Sequence, residues 1–339
     1  MSTCPSEPSE IRLQREPHVD AKYQAAMDLC RNAMEDVPVL HHLAHFTRGS
    51  FDFAYDRLAS LPGTPVERDI YVRTGTQITN AAGELDRMLA ATETGALIRT
   101  VVHGPRGLLV CDSVIPQEHV IGFCHDASAL PTEDASPADL AGARQVDSAI
   151  GRLVTDLRAL ISQPPLNPGS WITPKPDDPE DAVVASPRKV SPPHVEDEGG
   201  GTVLTDLLTG PLSPADLQFV AYCKDFRVLC TADQLAHPDI APYFHQISVT
   251  ERREFYQELG PAMPAWVRKL GRMASTVIGP RLERVVLDVE QGAVYYYRIR
   301  PGEYLIGVTM DQGRVAVTDS KMAALTLACR KEFRPAIGR

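Results

Sequence analysis

The stretch RTVVHGPRGLLVCDSVIPQEHVIGFCHD at residues 99–126 returns without a gap as RVVLDVEQGAVYYYRIRPGEYLIGVTMD at residues 284–311. Eight of the 28 positions are identical: Arg99/Arg284, Val101/Val286, Gly107/Gly292, Pro116/Pro301, Glu118/Glu303, Ile121/Ile306, Gly122/Gly307 and Asp126/Asp311. Others keep their character, as in Val102/Leu287, Leu109/Val294 and Val114/Ile299. Unrelated segments would share one or two, and the constant offset of 185 is far longer than a solenoid repeat. Two copies of one domain is the reading that follows. Upstream, AHFTRGSFDFAYDRLA at 44–59 aligns with AYCKDFRVLCTADQLA at 221–236, now at an offset of 177 and matching Asp56/Asp233 and Leu58/Leu235. The second copy therefore carries eight extra residues between the two blocks, in a helical region or its flanking loops, where insertions are tolerated.

Each block reads as a strand meander. β-Branched runs at 97–102, 108–114 and 119–124 are separated by turns at His103-Gly104-Pro105-Arg106-Gly107 and Pro116-Gln117-Glu118. The second copy repeats this at 282–289, 293–299 and 304–310. Gly122 and Gly307 fall inside strands, where glycine marks a bend or the close approach of a helix. Ahead of the first meander, residues 20–36 carry Tyr23, Met27, Cys30 and Met34 at helical spacing, with Asp20 as N-cap. Two strands at 40–47 and 51–58 and a helix over 72–92 follow. A closing helix is signalled by Ser136 and Pro137 in the first copy and by Thr318 or Asp319 in the second.

A chain of 339 residues suits two domains and a linker. The expected division is a disordered N-terminus at 1–19, a first domain at 20–162, a flexible linker at 163–201 and a second domain at 202–339. The linker holds nine prolines, Gly199-Gly200-Gly201 and the acidic Glu196-Asp197-Glu198. Its Trp171 either docks back, binds a partner or is retained by chance. With 43% hydrophobic and 23% charged residues, no long apolar run and no signal peptide, the chain is expected to be cytoplasmic and not inserted in a membrane. Seven scattered cysteines read as reduced, buried thiols. A net charge of −10 argues against nucleic acid as a partner. Arg252, Arg253, Arg268, Lys269 and Arg272 lie on or near a helix, either as a solvated face or as a docking surface for an acidic partner.

Each copy thus runs helix, two strands, helix, three strands, helix. This order, with the passage from Val285-Val286-Leu287-Asp288 to Tyr304-Leu305-Ile306-Gly307-Val308, resembles the roadblock/dynein-light-chain family of the profilin-like and longin-like group. The resemblance implies an α+β fold: two roadblock-like domains, each a five-stranded antiparallel sheet with a central helix and flanking terminal helices. Roadblock proteins usually dimerise through the central helix and its neighbouring strand, so two copies on one chain imply an internal pseudo-dimer. The second copy departs in having only 203–209 for its opening helix. Expected at the pairing contact are Ile78, Leu85 and Leu89 from the first copy with Phe255, Trp266 and Leu270 from the second. Further self-association is compatible with this.

No phosphate-cradling loop, GxSxG, HExxH or CxxC is present. His41-His42-Leu43-Ala44-His45 lies on a strand, whose alternation separates His42 from the other two, so no metal site is expected. Cys124-His125 reads as structural, because adjacent strand residues face opposite ways and the second copy has Thr309-Met310 there. No cofactor and no catalytic residue is expected. The function read from the sequence is a non-enzymatic interaction platform for a small Ras-like GTPase or a signalling complex. The alternative is a PAS- or GAF-like sensor of a small ligand, which would need an apolar pocket.

Overall fold

The first 28-residue stretch builds a three-strand antiparallel meander up to His125, and in the second, residues 292–300 and 303–309 pair antiparallel in the same way. The computed structural model describes residues 10–61, 67–125, 141–164 and 192–333. Cys4, Asp126, Ser136, Pro137 and Trp171 lie outside them. The chain divides into two units that cut across the linear order. Unit 1 comprises residues 1–89, 96–166 and 265–287; unit 2 comprises 90–95, 167–264 and 288–339.

Unit 1 contains β1 (Arg12–Arg15), α1 (Gln24–Asp36), β2 (His42–Thr47), β3 (Ser50–Asp56), α2 (Arg68–Leu89), β4 (Leu97–Gly104), β5 (Gly107–Ile115), β6 (Glu118–His125) and α3 (Ala141–Leu160). Its strand order is β1-β3-β2-β6-β5-β4. Asp20 caps the turn ahead of α1 by accepting from the Lys22 amide. Gly122 on β6 faces Ile150 of α3, while its neighbour Phe123 meets Tyr71 of α2 edge-on. Adjacent strand residues point to opposite faces, so α2 and α3 cover the two sides of the sheet. In unit 2, α4 (Gly201–Thr209), β8 (Phe219–Lys224), β9 (Arg227–Asp233), α5 (Val249–Met273, here to Pro264), β11 (Gly292–Arg300), β12 (Glu303–Thr309) and α7 (Val315–Glu332) follow the same plan. They are joined by β7 (His194–Asp197), in the order β11-β12-β8-β9-β7. The unit division falls inside β10 (Arg284–Val289).

The likeness of the copies reaches individual bonds. Asp56 holds Arg68 through two oxygens at 2.5 and 3.1 Å, and Asp233 holds Arg253 likewise at 2.6 and 3.0 Å. Bulges interrupt the ladders at His45/Phe46 and Tyr222/Cys223, and again at Ser113/Ile115 and Arg298/Arg300. Arg158 donates to the Val114 carbonyl, and Arg330 to the Ile299 carbonyl. The β2–β3 turn puts Arg48 and Gly49 at φ of 53° and 75°, and the β8–β9 turn puts Asp225 and Phe226 at 48° and 65°. Positive φ at both central residues is what a two-residue hairpin of this hand requires.

Four expectations change. The sheets gain edge strands that the sequence reading did not include, because Arg12–Arg15 pairs with β3 and His194–Asp197 with β9. Neither stretch has enough apolar content to fold alone; a neighbouring strand's unpaired amides and carbonyls supply the order. Residues 12–15 therefore do not belong to a disordered terminus, nor 194–197 to a flexible linker. The closing helix of the second copy is entered through Asp311, which accepts from the Gly313 amide, whereas Thr318 and Asp319 are buried inside it. Finally, residues 265–287, expected in the second domain, cluster with unit 1.

The two strand glycines allow a graded test. A Cβ at Gly122 would meet Ile150 with Leu40 behind it, whereas at Gly307 its three nearest atoms would all belong to Met322. Overpacking of this kind costs about 1–3 kcal/mol, and an unbranched thioether moves aside more readily than a β-branched side chain. Gly122→Val should therefore lower stability in urea titration by about 2 kcal/mol, and Gly307→Val by clearly less.

Candidate functional site

Residues 265–287 lie along α2 and β4 within unit 1, and they supply its most distinctive surface. Lys269 of α5 pairs with Glu84 of α2. One turn group holds the segment that follows. The Arg106 guanidinium donates to the Ser275 and Thr276 carbonyls at 2.6 and 2.8 Å, in α6 (Ser275–Ile278). The Arg106 amide donates to the Ile278 carbonyl at 3.1 Å. These bonds satisfy carbonyls that a helix end leaves without intrahelical partners. Gly104 lets the Ile278 carbonyl approach where a Cβ would collide, and Gly279, at φ +93°, abuts Pro105. The Glu283 amide then donates to the His103 carbonyl at 3.0 Å, and Arg284 Nη1 lies 3.2 Å from His103 Nδ1.

In sequence, His103-Gly104-Pro105-Arg106-Gly107 reads only as a turn. The signal that it does more is the Gly-Pro-Arg content, which permits close backbone approach and brings a forked donor. Of the six expected contact residues, Ile78, Leu85, Leu89 and Leu270 are buried in unit 1. Trp266 is half-buried there, with Lys269 Nζ 4.9 Å from its ring centroid. Phe255 is half-buried in unit 2, beside Tyr256. The six are thus not brought into one unit.

A second cluster in unit 1 is one that strand alternation does not anticipate. The β2–β3 bulge leaves Asp52 as the extra residue between Phe51 and Phe53. Its Oδ2 lies 2.8 Å from His45 Nδ1 and accepts from Thr47 Oγ1 at 2.7 Å, while its Oδ1 lies 2.8 Å from His18 Nε2. His45 Nε2 lies 3.1 Å from Glu118 Oε1. Both ring nitrogens of His45 thus face carboxyl oxygens, an arrangement that favours the doubly protonated ring. Burial pulls the His45 pKa down, but the bonds to Asp52 and Glu118 outweigh it and raise the value above 6.5. For Asp52, burial acts upward and is outweighed by His45, His18 and Thr47, which hold the carboxyl below 3.8.

Three further histidines, His41, His42 and His125, lie together around Tyr71. Tyr71 Oη and His125 Nε2 are 2.8 Å apart, the His125 amide donates to His41 Nδ1, and His42 stacks on Tyr71. Burial lowers the His42 pKa to about 3, so this ring stays neutral. His125 is therefore engaged with Tyr71, while Cys124 Sγ donates to a backbone carbonyl at 3.6 Å. The six described cysteines are buried. Burial pushes the Cys30 and Cys111 thiols up, and those of Cys223 and Cys329 up to about 12, far from thiolate chemistry. Among the described residues no group of three or more histidines, cysteines or carboxylates could hold a metal. Among them, too, no helix is long and apolar enough to cross a membrane. A cavity of about 240 Å³ in unit 2 is lined by Pro214, Ala215, Ile240 and Tyr243 together with Gln218, Asp239, Asp311 and Arg314.

No family model matches the chain, and no curated protein matches it. Among solved structures it is similar to "MglB with tetrameric arrangement", at 16% identity and a TM-score of 0.28, over 42% of this chain and 98% of that one. The gliding protein mglB from Thermus thermophilus gives the same identity, TM-score and coverage.

Proposed function

We propose that this chain is a tandem, roadblock-like interaction platform whose two copies pair as an internal pseudo-dimer. The observation that carries the reading is the docking of residues 265–287 on α2 and β4 in unit 1. This is the central helix and neighbouring strand through which roadblock domains usually pair. The matching bonds of Asp56/Arg68 and Asp233/Arg253 support a common origin for the copies. By the same resemblance, the partner is a small Ras-like GTPase or a larger signalling assembly. The chain acts by binding rather than by catalysis, and any effect on hydrolysis comes from positioning the GTPase's own groups.

Pull-down from native cytosol tests this, with parallel samples loaded with GDP or a non-hydrolysable GTP analogue. A small GTPase retained in one nucleotide state is the expected result. Retention of other proteins, with no GTPase in either state, would sink the GTPase reading.

A further inference from the structure

The two edge strands that the sequence did not disclose carry opposite charge. Among the described residues, β1 pairs only with β3, and β7 only with β9. Each therefore offers a row of backbone donors and acceptors to another strand. β1 reads Arg12-Leu13-Gln14-Arg15, with Arg12 and Arg15 exposed and Leu13 45% exposed. A groove of about 690 Å³ runs beside it, lined by Leu13, Gln14, Arg15, Glu67, Arg68 and Asp69. Within that lining, Gln14 Oε1 is buried and without a hydrogen-bond partner. β7 reads His194-Val195-Glu196-Asp197, exposed except for a half-buried Val195, and Glu198 follows it.

We infer that β1 of one molecule pairs with β7 of a second copy of this chain, joining molecules edge to edge. An antiparallel register that sets Arg12 opposite Glu196 also sets Leu13 opposite Val195 and Gln14 opposite His194. Charged and apolar cross-strand pairs of this kind each contribute to sheet pairing. Glu196 already contacts His194 at 2.9 Å and Gln257 at 2.7 Å, but each carboxylate oxygen has a second lone pair to offer. The Arg12 contact with Glu10 is long, 3.5 Å, and both side chains are exposed, so it yields readily. Because β1 and β7 are different surfaces, the contact is heterologous and propagates as a chain of molecules or closes as a ring. This inference is independent of the GTPase reading.

Sedimentation of the full chain over a concentration series, at low and high salt, tests the pairing. Wild type should at least double in mass with concentration at low salt and return to monomer at high salt. Arg12→Glu should stay monomeric, and so should Glu196→Lys. Mixing the two variants should restore association, because each reversed edge then meets an edge of opposite charge. That recovery also shows that both variants are folded. A monomeric wild type, association that ignores the reversals, or a mixture that remains monomeric would each overturn the inference.

Discussion

Arg99→Met should destabilise unit 1 by about 3–5 kcal/mol, the usual cost of removing one partner from a buried ion pair. The Arg99 guanidinium is fully buried between Asp112 at 3.1 Å and Asp147 at 3.0 Å. It ties β4 and β5 to α3. Burial already lifts the Asp112 pKa to about 6, with Asp147 adding to the lift and Arg99 opposing it. A carboxyl whose folded pKa exceeds its ordinary 3.8 favours folding below that value and loses the contribution as pH rises through about 6. Without Arg99 the Asp112 carboxyl is driven further toward protonation, so the defect should be largest at pH 7–8 and shrink in acid. Urea titrations of wild type and variant between pH 4 and 8 give the comparison. A pH-independent loss would mean that packing, not charge, dominates. Adding Asp112→Leu and Asp147→Leu should recover most of the loss, since a whole buried ion cluster can be replaced by apolar side chains at little cost.

The second large effect is expected at the bulge. Asp52→Asn should cost about 3 kcal/mol at neutral pH, as charge-assisted bonds to His45 and His18 are weakened in a buried site. The sign with pH follows from both groups. His45, raised above 6.5, contributes stability that is complete below that value and is lost as pH rises through its folded pKa. Asp52, held below 3.8, contributes stability present above that value and lost as pH falls through its folded pKa. The cluster therefore stabilises most between about pH 4 and 6.5. In Asp52→Asn the acid limb disappears. Burial, the largest influence on His45, then pulls its pKa down, so the alkaline loss moves to lower pH. Proton NMR titration of the His45 ring reads this directly. An unchanged His45 midpoint would refute the assignment of Asp52 as its main support.

Much of the local structure was legible along the chain. The alternation at 99–126 and 284–311, the paired glycines and the helical spacing of Tyr23, Met27, Cys30 and Met34 each depend on residues a few positions apart. Such patterns report which side of a strand or helix must leave water, and the chain alone states them. The buried character of the six described cysteines was legible for the same reason, as they sit in apolar surroundings.

Other features depend on residues distant in sequence, whose meeting no local pattern encodes. Arg12–Arg15 and His194–Asp197 are too short and polar to declare themselves strands, and become so only where β3 and β9 offer an open edge. Asp52 reads as one more residue of an alternating run. Only the bulge turns it toward His45, and only β6 brings Glu118 to the other side of the ring. Arg106 looks like a turn residue until the carbonyls of Ser275 and Thr276 arrive from 169 and 170 positions away. Apolar periodicity is written locally because burial acts on each side chain separately. Charge pairing and edge completion were decided by the tertiary structure, because both need a partner that the neighbouring sequence does not contain.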